Sequence, residues 1–221
     1  ADIRGFEIAP TGQRIVYLAD RDQDEVFELY STKIGGGPSV KLNARLRAGR
    51  IVDFFLSPRG RDVVYVVEIG TFHVFSVPID GGPAVQLNLR GGRGVEFDLA
   101  RTSIAISPDS KRLLYLADQE VRDRIELYAV SLQGGMAVKL SPPLAALGEV
   151  YTGFQISPDG ERVVFRADPV LDHVDELFSA LIDGSQPAVQ LSSALVSGRN
   201  VGVRFHISPD SERAVFGADQ E

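Results

Sequence analysis

Short apolar runs alternate with polar turns along the whole chain, and the runs follow two distinct patterns. One kind is apolar at successive positions, as in residues 63–66 (Val-Val-Tyr-Val) and 113–116 (Leu-Leu-Tyr-Leu). This pattern indicates a strand that is buried on both faces. The other kind alternates, as in residues 40–42 and 138–140 (both Val-Lys-Leu), and indicates an edge strand with one solvent-exposed face.

A turn before each doubly apolar run shows that the chain is built from repeats. Ser-Pro-Asp-Gly or a close variant occurs five times, about 50 residues apart, at Pro10, Pro58, Pro108, Pro158 and Pro209. Proline and aspartate suit the central positions of a type I turn, so the chain reverses there. Each repeat then consists of strand A before this turn, strand B after it, a polar turn, strand C, a glycine-rich turn and strand D.

Four antiparallel strands per repeat, with middle strands buried on both faces, are typical of a β-propeller blade. We therefore predict an all-β fold, in which residues 1–221 form a single β-propeller domain of four-stranded antiparallel blades. Four blades are complete and a fifth is half present; the repeats are 6–53, 54–103, 104–153, 154–204 and the partial repeat 205–221. Helix should be scarce, because no long segment has an apolar period of 3.6 residues.

Composition narrows the class of partner. The net charge of −7 argues against a nucleic-acid binder, which needs a basic face to neutralise phosphates. No apolar run approaches the roughly 20 residues that a membrane span requires. The chain has no cysteine, which excludes disulfides and thiolate metal sites. We predict no cofactor and no metal.

The repeat resembles a known family. Residues 154–165 (Phe-Gln-Ile-Ser-Pro-Asp-Gly-Glu-Arg-Val-Val-Phe), followed by Glu-Leu-Phe and Asp-Gly, are similar to the WD-like repeats of TolB-type propellers, and the similarity extends over essentially the whole chain. Isoleucine or leucine stands where that pattern usually has tryptophan before Ser-Pro-Asp-Gly. The absence of tryptophan also disfavours ordinary WD and Kelch repeats.

The resemblance carries several implications. TolB-type propellers usually have six blades, so it implies a fragment, or a partial propeller that closes with something else. It also implies a bacterial protein that is periplasmic or secreted. TolB's separate α/β domain has no counterpart here, so the resemblance does not transfer its partner-binding role. Related propellers cap prolyl-oligopeptidase-like hydrolases.

The candidate site lies on one loop face. The B–C turns and the crossovers from strand D to the next strand A differ most between repeats, whereas the Ser-Pro and glycine turns on the other face are nearly identical and indicate scaffold. Arginines in the crossovers could bind an anionic ligand or an acidic partner. Because surface ion pairs are common, the simpler interpretation is that they pair with the acidic B–C turns on the same face. The candidate ligand-binding residues are Arg45, Arg47, Arg50, Arg90, Arg93 and Arg204, together with Glu7, Gln155 and His206 in strands A.

Two further patterns have a structural and a functional interpretation. The spacing Asp20-x-Asp22-x-Asp24 is that of a calcium loop, but the glycine and the distal glutamate of an EF-hand are absent. We expect instead that the first aspartate of each B–C turn, such as Asp20, Asp118 or Asp168, caps the turn backbone. Glu7, Gln155 and His206 form a possible polar cluster at the channel, or else lie wedged between blades.

No nucleophile elbow, His-Glu-x-x-His motif or phosphate loop is present in the sequence, so we predict no catalytic residues. The predicted function is a non-catalytic binding or interaction module that meets a protein or a small anionic ligand. The alternatives are a propeller enzyme such as a polysaccharide lyase or glycosidase, the propeller part of a hydrolase, and a purely structural segment of a larger or oligomeric propeller. The half-blade leaves a strand edge unpaired, so we also predict self-association through it.

Overall fold

The computed structural model describes residues 2–46, 48–88, 103–170, 174–193, 195 and 199–219. Within these ranges the regular structure is entirely β: eighteen strands form five antiparallel sheets, and none of the described residues is helical. The predicted all-β fold of four-stranded sheets ending in a half-sheet is confirmed.

The first four sheets have four strands in sequence order, and the last has two. In each sheet the strands correspond to positions A, B, C and D of the repeat. The first sheet consists of β1 (Ile3–Ile8), β2 (Arg14–Ala19), β3 (Glu28–Lys33) and β4 (Val40–Lys41), and the second of β5 (Arg50–Leu56), β6 (Asp62–Ile69), β7 (Thr71–Pro78) and β8 (Val85–Gln86). The third consists of β9 (Ile104–Ile106), β10 (Arg112–Ala117), β11 (Glu126–Ser131) and β12 (Val138–Lys139), the fourth of β13 (Gln155–Ile156), β14 (Arg162–Ala167), β15 (Glu176–Leu181) and β16 (Val189–Gln190), and the fifth of β17 (Val201–Ile207) and β18 (Ala214–Ala218).

A cross-strand aromatic pair stands at the centre of each complete sheet. Tyr115 of β10 lies opposite Tyr128 of β11, and their ring centroids are 5.8 Å apart. The other three sheets have the same pair at the same register, with centroid distances of 5.7, 5.3 and 5.9 Å. Directly opposed aromatic side chains stabilise an antiparallel pair, so this position helps to set the register of strands B and C.

The Ser-Pro turn between strands A and B is closed by its own side chains. In the fourth sheet, the hydroxyl of Ser157 accepts a hydrogen bond from the backbone N–H of Arg162 (2.9 Å) and donates one to the carboxylate of Asp159 (2.5 Å). The same serine-to-backbone bond recurs at the turns of Ser57, Ser107 and Ser208. The recurring serine is therefore explained by turn geometry.

The apolar core lies between sheets. Each of four clusters joins two successive sheets: Tyr115 packs with residues of the second sheet, whereas Leu114, the adjacent residue of the same strand, packs with residues of the fourth. We call the face of a sheet towards the preceding sheet its front and the opposite face its rear. Each buried interface is therefore a front packed on a rear. Strand B is buried on both sides, as predicted, in the second, third and fourth sheets, but not in the first and last sheets.

The sheets form a row with two ends. None of the four apolar clusters in the described part of the chain joins the first sheet to the last. The front of the first sheet and the rear of the last sheet therefore lack the neighbour that the inner sheets have.

Candidate functional site

The crossover arginines are only partly within the described structure. Arg45 and Arg204 are exposed, and so is Arg50, whose Nε lies 2.8 Å from Oε2 of Glu68 on the neighbouring strand. Arg47, Arg90 and Arg93 lie outside the described residues. An anion site in these crossovers therefore stays a prediction. Of its proposed residues, Arg50 already has a carboxylate partner in Glu68.

Two of the three polar residues predicted at strand A lie in adjacent sheets. Nε2 of Gln155 in β13 donates a hydrogen bond to the carbonyl oxygen of Phe205 in β17 (2.8 Å), the residue before His206. His206 is exposed, and Glu7 is half-buried in β1, at the other end of the row. Gln155 thus ties the half-sheet to the fourth sheet, and a joint ligand site for the three residues stays a prediction.

The first aspartate of the B–C turn has the expected capping role in two sheets. Oδ2 of Asp20 accepts a hydrogen bond from the N–H of Glu25 (3.3 Å), and Oδ2 of Asp118 accepts one from the N–H of Asp123 (3.2 Å). A hydrogen bond from the N–H of Asp2 is the main cause that lowers the pKa of Asp20. These carboxylates hold the backbone of the turn.

Asp168 has partners in the preceding crossover, and its predicted capping of residues 171–173 lies outside the described residues. Its carboxylate accepts hydrogen bonds from the N–H of Glu149 (2.5 Å) and from the hydroxyl of Tyr151 (3.1 Å). Both donors belong to the crossover that precedes the sheet. Burial, followed by the nearby charges of Asp175 and Asp168, raises the pKa of Tyr151. In this sheet the aspartate therefore anchors the crossover.

A buried glutamate on strand C organises a polar cluster that sequence reasoning missed. Glu28 is buried, and its Oε1 lies 2.5 Å from Nζ of Lys41 on strand D, which also reaches Asp22 at 3.1 Å. Burial lowers the pKa of Lys41, but these two carboxylates outweigh that effect and the pKa is raised. The third sheet repeats the cluster with Glu126, Lys139, Glu120 and Tyr128. The sequence does contain a signal for this cluster, since Glu on strand C and Lys on strand D occur together in the first and third repeats.

The front of the first sheet departs most from the repeat. Phe6 has 65% of its surface exposed. At the same repeat position Phe54, Ile104, Phe154 and Phe205 are only 4%, 5%, 8% and 3% exposed. Ile34 is likewise 54% exposed, whereas its counterparts in the next three sheets are 2–6% exposed. An open apolar pocket of about 520 Å³ on this front is lined by Phe6, Ile15 and Tyr17.

The rear of the last sheet is open in the same way. Val215 of β18 is 67% exposed, whereas its counterparts Val16, Val64, Leu114 and Val164 are 0–5% exposed. In the described structure β18 pairs only with β17, so its other edge is free. We call the front of the first sheet and the rear of the last sheet the two end faces.

Comparison with known proteins defines the fold. No protein-family model and no curated protein matches the chain. Among solved structures, a TolB protein from Agrobacterium tumefaciens is 19% identical, with 85% of this chain and 64% of that chain covered and a TM-score of 0.50. Prolyl oligopeptidase B from Galerina marginata (13% identity, 91% and 31% covered, TM-score 0.57) and a puromycin-hydrolyzing peptidase from Mycobacterium tuberculosis (13%, 89% and 29%, TM-score 0.56) also match.

The chain has a TolB-like propeller fold. At these identities the likeness concerns the fold alone, and the chain spans less than two thirds of the length of each matched structure. Each four-stranded sheet is a blade of this TolB-like propeller, and β17 with β18 is a half-blade. No helix of the described residues has the length and apolar character needed to cross a membrane.

Proposed function

We propose that this TolB-like propeller is a non-catalytic interaction module that assembles through its two end faces. The observation that carries the proposal is the exposure of Phe6, 65% against 3–8% at the same position of the other repeats. Fully burying a phenylalanine side chain contributes up to about 3 kcal/mol, so an apolar cover over this face is strongly favoured.

A second copy of the chain could cover each end face, because it offers a rear for the open front and a front for the open rear. The four interfaces seen among the described residues each pack the front of one blade on the rear of the preceding blade. The first blade offers an open front with Phe6 and Tyr17, and the half-blade offers an open rear with Val215. A head-to-tail contact between two copies would bring these two faces together, with the front of one copy on the rear of the next.

Such a contact is heterologous, because it joins two different surfaces. It leaves one front and one rear free, so it leads to a closed ring or to a longer series of copies. This proposal extends the predicted self-association: the half-blade meets the first blade of another copy, and its free β18 edge adds a backbone pairing surface beside that contact.

Light scattering over a range of protein concentrations tests the proposal. We expect a mass above 24.0 kDa that increases with concentration, and a constant monomer mass for Phe6→Asp. The matched control is Met136→Asp, which replaces a side chain that is 91% exposed outside both end faces and should leave the mass unchanged. Equal masses for Phe6→Asp and the unmodified chain would refute assembly through this face.

Mixing two variants distinguishes head-to-tail contact from a symmetric dimer. Phe6→Asp keeps an intact rear and Val215→Asp keeps an intact front, so each should be a monomer alone. An equimolar mixture should form one intact interface and reach twice 24.0 kDa. A mixture that stays monomeric would contradict the head-to-tail arrangement.

A second candidate function is the propeller part of a hydrolase, which the likeness to two peptidase structures favours. The non-catalytic proposal expects no hydrolysis of a chromogenic proline-containing peptide by the purified chain, and a turnover that survives repeated purification would overturn it. We further propose a periplasmic or secreted location, with the loop face as a second surface for a protein or an anionic ligand. Fractionation of cells that express the protein from its own gene tests the location, and recovery in the cytoplasmic fraction would overturn it.

A further inference from the structure

A cleft lies between the first and second blades on the face of the Ser-Pro turns, the face that the sequence indicated as scaffold. Its volume is about 1010 Å³, and its walls are the A–B turns and the C–D turns of both blades. The side chains that matter here are Thr11, Gln13, Arg14, Lys33, Arg59 and Arg61.

The cleft has an excess of positive charge in an acidic protein. Arg14 is neutralised: its Nη1 lies 2.8 Å from Oδ1 of Asp80, and its Nε donates to Ser31 at 2.7 Å. Lys33, Arg59 and Arg61 are exposed, and within the described residues none of them forms an ion pair. Three cations therefore face one opening without a carboxylate partner, while the whole chain has a net charge of −7.

The carboxyl of Asp62, which follows Arg61 in the chain, does not remove this excess. Asp62 is half-buried at the start of β6, and burial raises the pKa of its carboxyl in spite of the charge of Arg61. It forms no ion pair with Arg61 in the described structure and is not part of the cleft wall.

Two departures from the repeat contribute to the charge excess. The third position of the turn is aspartate in the last three repeats, at Asp109, Asp159 and Asp210, and each accepts hydrogen bonds from the turn serine and from a backbone N–H. The first two repeats have Thr11 and Arg59 there. The junction between the third and fourth blades thus has a carboxylate from both turns, whereas the first junction has none at this position.

The two walls are held close together. A Cβ on Gly60 would lie 3.1 Å from Cγ2 of Thr11, so the glycine allows the A–B turns of the two blades to touch. The backbone N–H of Arg59 donates to Oγ of Ser110 in the third blade at 2.9 Å, which fixes the backbone position of this arginine. A rigid scaffold that presents free cations requires little reorganisation to bind an anion.

We propose that this cleft is a binding site for a small molecule that carries a phosphate group, with Arg59, Arg61 and Lys33 as its charged contacts. Guanidinium groups and the lysine ammonium form charge-assisted hydrogen bonds to phosphate oxygens. Thr11 and Gln13 supply uncharged hydrogen-bonding groups on the same wall for the remainder of such a molecule. The site lies on the loop face opposite the crossover arginines and does not depend on contact between the end faces.

Titration calorimetry at low ionic strength with inorganic pyrophosphate tests the proposal. We expect saturable binding, and at least a tenfold loss of affinity in Arg59→Asp, because each charge-assisted contact contributes more than a neutral hydrogen bond. Asp is the residue of the last three repeats at this position, so the turn should tolerate it, and an unchanged melting temperature verifies that. Arg45→Asp tests the crossover arginines on the other loop face separately. The matched control is Arg122→Asp, which makes the same change of charge at an exposed arginine of the third blade that belongs to neither candidate site, and it should leave the affinity unchanged.

The remaining outcomes are equally decisive. If Arg45→Asp weakens binding and Arg59→Asp does not, the anion binds among the crossover arginines and the proposal is wrong. Citrate serves as a second probe: equal affinity for citrate and pyrophosphate would show that the cleft recognises charge without preference for phosphate. No heat of binding with either probe also overturns the proposal.

Discussion

Strand B of the third blade and strand B of the half-blade hold the same repeat position but have opposite environments. In β10 every residue from Leu113 to Ala117 is buried, whereas in β18 half-buried and exposed residues alternate. The third blade has neighbours on both faces, and the half-blade has one on its front only. Burial of strand B therefore depends on the neighbouring blades more than on the strand's own composition.

The side chains on the rear of strand B change along the row. The rear positions are Leu114 and Leu116 in the third blade, Val164 and Arg166 in the fourth, and Val215 and Gly217 in the half-blade. In the fourth blade Nη1 of Arg166 lies 2.5 Å from Oδ2 of Asp175, and both side chains are largely buried. The apolar area on the rear thus decreases towards the half-blade, and Val215 remains as its main exposed apolar side chain.

We expect the greatest difference in unfolding free energy when the same substitution is made at an inner and at an end position. Phe54→Ala should cost about 3–5 kcal/mol of unfolding free energy, because it leaves a cavity in a closed interface. Phe6→Ala should cost less than about 1 kcal/mol when measured at low protein concentration, where self-association does not contribute. Urea denaturation monitored by tyrosine fluorescence measures both values. Equal losses would show that the first blade's front is covered.

The second comparison is between alanine variants at two glycines that have the same backbone angle. Gly36 and Gly81 both have φ of 92°, at equivalent C–D turns. A Cβ on Gly81 would lie 2.5 Å from Cγ1 of Val40, whereas none of the described atoms lies within 4 Å of a Cβ on Gly36. Both alanine variants bear the same backbone strain, so Gly81→Ala should be less stable by a further 1–3 kcal/mol, approximately the cost of overpacking. Thermal unfolding of the pair checks this, and a reversed order would contradict the front-on-rear packing.

A smaller difference, in the pH dependence of stability, is expected between a turn with aspartate and the first turn, which has Thr11. Hydrogen bonds from the N–H of Glu161 and then from Ser157 lower the pKa of Asp159. Because the folded-state pKa is depressed, the carboxylate stabilises the turn at pH values above the unfolded-state pKa of about 3.9. This stabilisation is lost as the pH falls through the folded-state pKa. The free-energy difference between the unmodified chain and Asp159→Asn, less than about 1 kcal/mol, should therefore be constant above pH 5 and shrink below pH 4. Thr11→Asn should show no such dependence.

The blades were predictable because their signals are local. The doubly apolar run at residues 113–116 and the adjacent Ser-Pro turn specify strand B and the reversal before it without knowledge of the rest of the chain. The open front of the first blade was not predictable in this way, since Phe6 and Phe54 have the same sequence signal and differ only in whether another blade covers them.

The candidate sites depend on contacts between distant segments. Lys33 and Arg59 belong to different repeats, and only the packing of two blades places them on one cleft. The five turns were interpreted as scaffold because they share a serine or alanine before proline, although Thr11 and Arg59 already departed from the pattern. The capping role of Asp20 was predictable, because an aspartate bonds to backbone a few residues ahead whatever surrounds it.

Because each apolar cluster joins only two successive blades, the molecule is a one-dimensional series of coupled units. In such a series the free energy of local opening depends on how many neighbours a unit has. Within the described residues the half-blade has two strands and one neighbour, so we expect it to open more often than an inner blade. We therefore expect the amide hydrogens of β18 in the monomer to exchange with solvent faster than those of β10.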